Sequence, residues 1–416
     1  MAKTKTKSQT KHKDILHSAN ATLVKSTPKK PKKSIEDLLT EAAILLEQSQ
    51  ADLALPLAEE ALRRLERDGG PSRDIDELLQ RAAEGQPTLP AALILDADIQ
   101  LAVGDVDAAR ANFLRATHID PEGALISAEP WLWLAQLCEE GGQKSIGYFE
   151  KATEVLRNEI EVLEDAEGIV AAHNQGILDE KKAKLAEALC GMAEVYMTDL
   201  SWEADAEARC ERFVTEAVAV CPDRLSAGVL QTLASVRISQ ERVEDARQAL
   251  RRSIEIWKDL PEDVEDDARP DFATRVSLSR LLMEVEAEPE AMTVLEGLIR
   301  QDDQSVECWY LGGWCQVLMS EKNGSDAEGQ AKSREQAHIW LHNCLRLYRV
   351  QDYEDERLRD HALELVRQLN SALAIEDQMD DDDAWEDEDD PEGEDDDLEV
   401  EENRVESDRD EDVEMT

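Results

Sequence analysis

Residues 90–121 read PAALILDADIQLAVGDVDAARANFLRATHIDP. Gly104 precedes Asp105, and Ala109, Phe113 and Ala116 follow at four- and three-residue steps, with Pro121 five later. On a helix that spacing stacks the three side chains on one face. The small residues let a second, antiparallel helix approach closely, the large apolar ones fill the gap, and Pro121 stops the second helix. The stretch therefore reads as two helices joined at Gly104-Asp105.

The spacing recurs on both sides. Trp131, Leu134 and Ala135 open a unit that closes at Phe149 and Ala152, with a loop two residues short. Leu189, Met192, Ala193 and Tyr196 open the next, closed by Val214, Ala217 and Pro222 after about five extra residues. Leu230, Leu233, Ala234, Ala246, Leu250 and Ser253 fit without a gap; Leu278, Ala291, Leu295 and Leu298 fit more loosely. Leu311 and Gly312 open a last unit, closed by Ala337, Leu341 and Cys344 after a long polar insertion. A degenerate first unit uses Ala42, Ala54 and Ala61. Each unit resembles a tetratricopeptide repeat (TPR), whose pattern runs Trp, Leu-Gly, Tyr, then Ala, Phe, Ala, Pro. The series implies an all-α, TPR-like superhelical solenoid of about seven repeats; a generic helical bundle would not need the recurring small–small–large pattern. Residues 70–89 and 154–181 fit no unit and are expected to form extra helices or loops. Residues 353–375, with Leu358, Ala362, Leu365, Val366 and Leu369 on one face, read as a capping helix.

Composition divides the chain into three zones. Residues 1–33 hold ten Lys and one acid, Asp14, with Pro28 and Pro31 interrupting the run, and read as a disordered basic arm. Within it Lys29, Lys30, Lys32 and Lys33 form a short cluster of the kind read by nuclear import receptors, although a plain solvated tail has the same composition. Residues 376–416 hold 25 Asp or Glu and two Arg, a disordered acidic tail with too little to bury. Of the net charge of −49, the arm contributes +9 and the tail −23, which leaves −35 on residues 34–375. The body is acidic in its own right. Direct nucleic-acid binding and adhesion to an anionic membrane are both disfavoured, and a basic protein partner fits the field. The seven cysteines are odd in number and include no Cys-x-x-Cys pair, which points to free thiols in the cytoplasm or nucleus. No signal peptide and no apolar run long enough to span a bilayer is read.

Motifs for chemistry are sparse. His338 and His342 lie four apart with Cys344 nearby, but Ile339 stands where a zinc protease needs Glu, so they read as ordinary helix-surface residues. No phosphate-binding Gly loop and no nucleophile elbow occurs, and no catalytic residue, cofactor or metal is expected. The carboxylate clamp of heat-shock cochaperones needs Lys, Asn and Arg on three inner helices. Leu39, Ala43, Leu95, Glu129 and Trp133 stand there instead.

In TPR arrays the first helix of each repeat lines a concave groove. Its usual groove positions carry over to Glu36, Glu47, Asp98, Glu129, Glu139, Glu140, Glu187, Glu194 and Glu284, with Arg280 the one base. Nine to one is a sharper acid bias than the 69 to 34 of the whole body. Trp309 also falls on the groove, either as an anchor for a ligand or as a core residue. Acidic groove, acidic tail and basic arm together resemble the fungal TPR assembly chaperones dedicated to large-subunit ribosomal protein L-four. The resemblance implies a non-enzymatic chaperone that captures the newly made ribosomal protein, shields its basic internal loop and escorts it to nuclear pre-ribosomes. Two alternatives stay open at this point: an acidic TPR histone chaperone, and a scaffold subunit that binds a neutral surface.

Overall fold

A computed structural model describes residues 33–69, 74–165, 169–261, 266–322 and 327–375. The described regular structure is entirely helical. The first two helices, α1 (Ile35–Glu47) and α2 (Ala51–Gly69), pack against each other and are followed by a short α3 (Ile75–Ala83). Five pairs then succeed one another: α4 (Leu89–Ala102) with α5 (Val106–Ile119), α6 (Glu129–Gln136) with α7 (Gly142–Glu164), α8 (Ile169–Met197) with α9 (Ala206–Val220), α10 (Ala227–Ser239) with α11 (Val243–Trp257), and α12 (Phe272–Glu284) with α13 (Glu288–Gln301). The pair α14 (Val306–Lys322) and α15 (Ala327–Val350) is covered by α16 (Glu356–Leu373). At several junctions the first helix of one pair also touches the first helix of the next, as α8 touches α10 and α10 touches α12. This stacking is that of a TPR-like solenoid.

The small–large–small code acts as its spacing implies. Ala97 of α4 and Ala109, Phe113 and Ala116 of α5 are fully buried. Burying one such Phe stabilises by about 1.5–3 kcal/mol. Phe149 of α7 packs so closely on Gly191 of α8 that a Cβ there would lie 2.7 Å from its ring. Gly312 and Gly313 of α14 do the same for α15: a Cβ on Gly312 would overlap the Trp340 ring, and one on Gly313 would lie 2.6 Å from Leu341 Cγ.

Local signals start and stop the helices. Ser34 and Asp37 form a capping box on α1, with Asp37 N–H donating to Ser34 Oγ at 3.0 Å and Ser34 N–H to Asp37 Oδ2 at 3.1 Å. Asp105 caps α5, and Asp271 caps α12, through Ala108 N–H at 3.1 Å and Thr274 N–H at 2.7 Å. Four turns inside the pairs share one closure. Ser49, Gly104, Glu241 and Glu286 adopt positive φ, and the next residue's N–H reaches back to Leu45, Gln100, Arg237 and Leu282 C=O, each at 2.8 Å.

The segments without repeat spacing extend these elements. Residues 74–88 contain α3, with Leu78 buried. Residues 154–165 and 169–181 lengthen α7 and α8 beyond the pair, and Lys181–Glu159 (2.8 Å) and Lys182–Glu164 (2.6 Å) tie the two extensions together. The polar insertion of the last unit is taken up by lengthening α14 and α15. Among the described residues no helix is long and apolar enough to cross a membrane.

Candidate functional site

A concave groove of about 610 Å³ runs along the first helices of successive pairs. Leu132 and Gln136 come from α6, Lys184, Glu187 and Glu194 from α8, Thr232 and Ser235 from α10, and Thr274 and Ser277 from α12. Glu187 and Glu194 are seven residues apart on one helix and therefore share a face. Ala183, Ala188, Gly191 and Gly228 keep the walls low, so the carboxylates project into open space. Thr232 of α10 and Ser277 of α12 occupy equivalent places, each six residues into its helix, while Ser235 and Thr274 flank them one turn away on either side. They offer hydrogen bonds to main-chain amides, while the carboxylates offer charge.

The groove carboxylates are crowded and partly desolvated. Glu187 and Glu194 are exposed by area, yet the concave wall surrounds them, and burial pushes both carboxyls up. Glu194 is partly relieved by Thr232, whose hydroxyl donates to Oε1 at 3.5 Å. Asp98 on α4 is pushed up to about 6, first by burial and then by the charge of Glu129. Glu129 opens α6 and is held by Lys184, which also reaches Glu180 at 3.1 Å. Lys184 thus serves two acids at the edge of the groove.

The structure brings together part of the sequence-derived set. Glu187 and Glu194 line the groove, and Glu129 and Asp98 adjoin it through Lys184 and through their mutual charge. Glu36 and Glu47 are exposed at the two ends of α1, and Glu284 is exposed at the end of α12. Glu139 and Glu140 are a correction. They sit in the turn after α6, not on a groove helix, where Glu139 pairs with Arg110 at 2.9 Å and Glu140 with Lys144. Helix α6 ends at Gln136, before the two glutamates, and Gly141 and Gly142, both at positive φ, open α7. Arg280 is engaged by Glu307 of α14. Trp309 packs on Trp340, ring centroids 4.8 Å apart, and its indole N–H donates to Asp303 C=O at 2.8 Å, so its polar handle is used within the fold.

His338 and His342 are half-buried, which corrects their reading as surface residues. His338 Nε2 lies 2.9 Å from Asn370 Oδ1 on α16 and 3.0 Å from His342 Nε2. Burial, then His338, pulls the His342 pKa down. Cys344 is buried, which pushes its thiol up to about 12. Among the described residues no cluster of three or more His, Cys, Asp or Glu could hold a metal ion. Of the basic cluster, Lys29, Lys30 and Lys32 lie outside the described residues, and Lys33 pairs with Glu41. Lys184 and the hydroxyl rows were missed by the sequence reading. The signal for the hydroxyls was a Thr and a Ser three residues apart in each of two successive first helices.

The chain is 40% identical over 423 residues to a "Probable assembly chaperone of rpl4" of Emericella nidulans, with 98% of this chain and 96% of that protein aligned. It is 36% identical over 249 residues to a "Probable assembly chaperone of rpl4" of Schizosaccharomyces pombe, covering 58% of this chain and 68% of that one. Among solved structures, "Assembly Chaperone of RpL4 (Acl4) (Residues 1-338)" superposes with a TM-score of 0.60 at 42% identity, covering 70% of this chain and 99% of that one. No protein-family model matches the chain.

Proposed function

Because the chain belongs to the family of assembly chaperones of rpl4, we propose that it binds this large-subunit ribosomal protein along the groove walled by α6, α8, α10 and α12. It holds the protein there until assembly. The observation that carries the reading is the pair Glu187 and Glu194 on one face of α8, flanked by two rows of hydroxyls. A cationic chain laid across them gains charge pairing in a partly desolvated site and main-chain hydrogen bonds from the hydroxyls. A ribosomal protein is cationic and lacks its RNA before assembly, and an acidic wall takes the place of the phosphates. The role involves no catalytic step, cofactor, membrane or direct nucleic-acid contact. It needs the chain in the cytoplasm, where the client is made, and in the nucleus, with Lys29–Lys33 as the segment offered to an import receptor.

The test is a titration of purified rpl4-type protein, and of its basic segments, into the full chain at low and high salt. Glu187→Lys with Glu194→Lys is expected to weaken binding at least tenfold. Glu401→Lys with Glu402→Lys, in the acidic C-terminal segment, is expected to change it less than twofold. Equal losses from the two variants would defeat the groove reading. Tight binding that ignores salt would point to a scaffold with a neutral surface, and equal affinity for histones to a general acidic chaperone.

A further inference from the structure

The basic arm and the acidic groove belong to one chain. Residues 1–32 carry nine Lys against Asp14 alone. We propose that this arm lies in the groove between α6 and α12 as an internal stand-in for the client, and that client binding displaces it. The inference rests on the groove reading above.

The arm leaves the fold from a fixed point. The main chain at Lys33 is held by Arg64 Nη1, which donates to its carbonyl at 2.6 Å, and the side chain of Lys33 pairs with Glu41 of α1. The capping box at Ser34 fixes the next residue. The arm therefore starts on the first helix pair, whose first helix begins the row that walls the groove. Successive helices in contact lie about 8–10 Å apart, so α8 and α10 are within roughly 50 Å. Thirty-two residues extended at about 3.3 Å each reach roughly 100 Å. Tethering at that range gives the arm an effective concentration on the order of millimolar.

The groove has an unmet demand for such a cation. Its resident base, Lys184, is engaged with Glu129 and Glu180. Glu187 and Glu194 face the cavity, and burial raises the carboxyl pKa of both, a sign that their charge is under-compensated. The competing site for the arm is the acidic segment 376–416. That segment follows α16, at the opposite end of the array from Lys33.

Zero-length carbodiimide coupling on the full chain, read by mass spectrometry, separates the two arrangements. A mixture of isotope-labelled and unlabelled chains distinguishes coupling within a molecule from coupling between molecules. Arm lysines are expected to join Glu187 or Glu194 within one molecule, and added octa-arginine is expected to remove those products. Coupling to residues 376–416 alone, or only between molecules, would overturn the proposal. Replacing Lys3, Lys5, Lys7, Lys11 and Lys13 by Gln in the full chain is expected to tighten octa-arginine binding three- to tenfold at low salt. If that variant binds octa-arginine as the parent does, while Glu187→Lys with Glu194→Lys abolishes binding, the groove reading stands and the arm proposal fails. If the Glu187→Lys, Glu194→Lys chain binds octa-arginine normally, the groove reading itself fails.

Discussion

Asp96 of α4 is 2% exposed and accepts hydrogen bonds at one oxygen only, from Gln100 at 3.0 Å and Asn112 at 2.8 Å, while Oδ1 is buried without a partner. Burial first, then the charge of Glu59, pushes its pKa from 3.8 up to about 6. The folded state therefore binds its proton more tightly than the unfolded chain does. Stability falls as pH rises from about 4 to about 6, and the full cost is present above that range. Asp96→Asn removes the charge, keeps an oxygen for Gln100 and Asn112, and is expected to gain on the order of 2 kcal/mol at pH 7.5 and about half as much at pH 5. Urea melts of parent and variant at the two pH values measure the difference; an equal effect at both would refute a titrating Asp96. None of this was legible in the sequence, where Asp96 and Asp98 look alike two residues apart. Only packing shows that one faces Asn112 inside the pair and the other faces Glu129.

At the scale of the helix, the pairs were legible and their joints were not. Ala109, Phe113 and Ala116 could be read because a close helix crossing demands small side chains at fixed steps. The closing turn could not, because a main-chain hydrogen bond holds it and any residue at positive φ serves. Glycine fills that place at Gly104, while Ser49, Glu241 and Glu286 fill it elsewhere. A non-glycine in this conformation costs about 1 kcal/mol. Glu241→Gly is therefore expected to raise stability by about 0.5–1 kcal/mol, seen as a rise of a few degrees in Tm; a drop would mean that the side chain supports the turn. Gly312→Ala is expected to act the other way. Mid-helix Gly→Ala ordinarily gains about 0.5–1 kcal/mol, but the added Cβ would meet the Trp340 ring and wedge α14 from α15. A net loss of about 1–3 kcal/mol follows from overpacking, and unchanged stability would show that Trp340 can swing aside. The misplacement of Glu139 and Glu140 has the same origin as the hidden turns. Repeat register was carried past the end of a helix that stops at Gln136.

Across the whole molecule, the bias toward acid in the groove survives with fewer members than the sequence assigned. Glu187, Glu194, Glu129 and Asp98 are gathered at or beside it, while Glu36, Glu47 and Glu284 are spread along the array. Register identifies the face of a helix, but only the stacking of helices shows which faces converge. Since burial raises the carboxyl pKa of Glu187 and Glu194, and that of Asp98 to about 6, cation binding should weaken on acidification at a higher pH than ordinary carboxylates would allow. Isothermal titration of octa-arginine at pH 5.5 and 7.5 checks this, and equal affinity would argue against those carboxylates as the ligands. The neighbour-only stacking of the pairs also has a mechanical consequence. Junctions such as α8 on α10 and α10 on α12 act as springs in series, so their compliances add. A pull or a wedge at one end is divided among the junctions. A few degrees at each changes the pitch of the array by a large total, which lets it lengthen around a bulky load while no single joint opens.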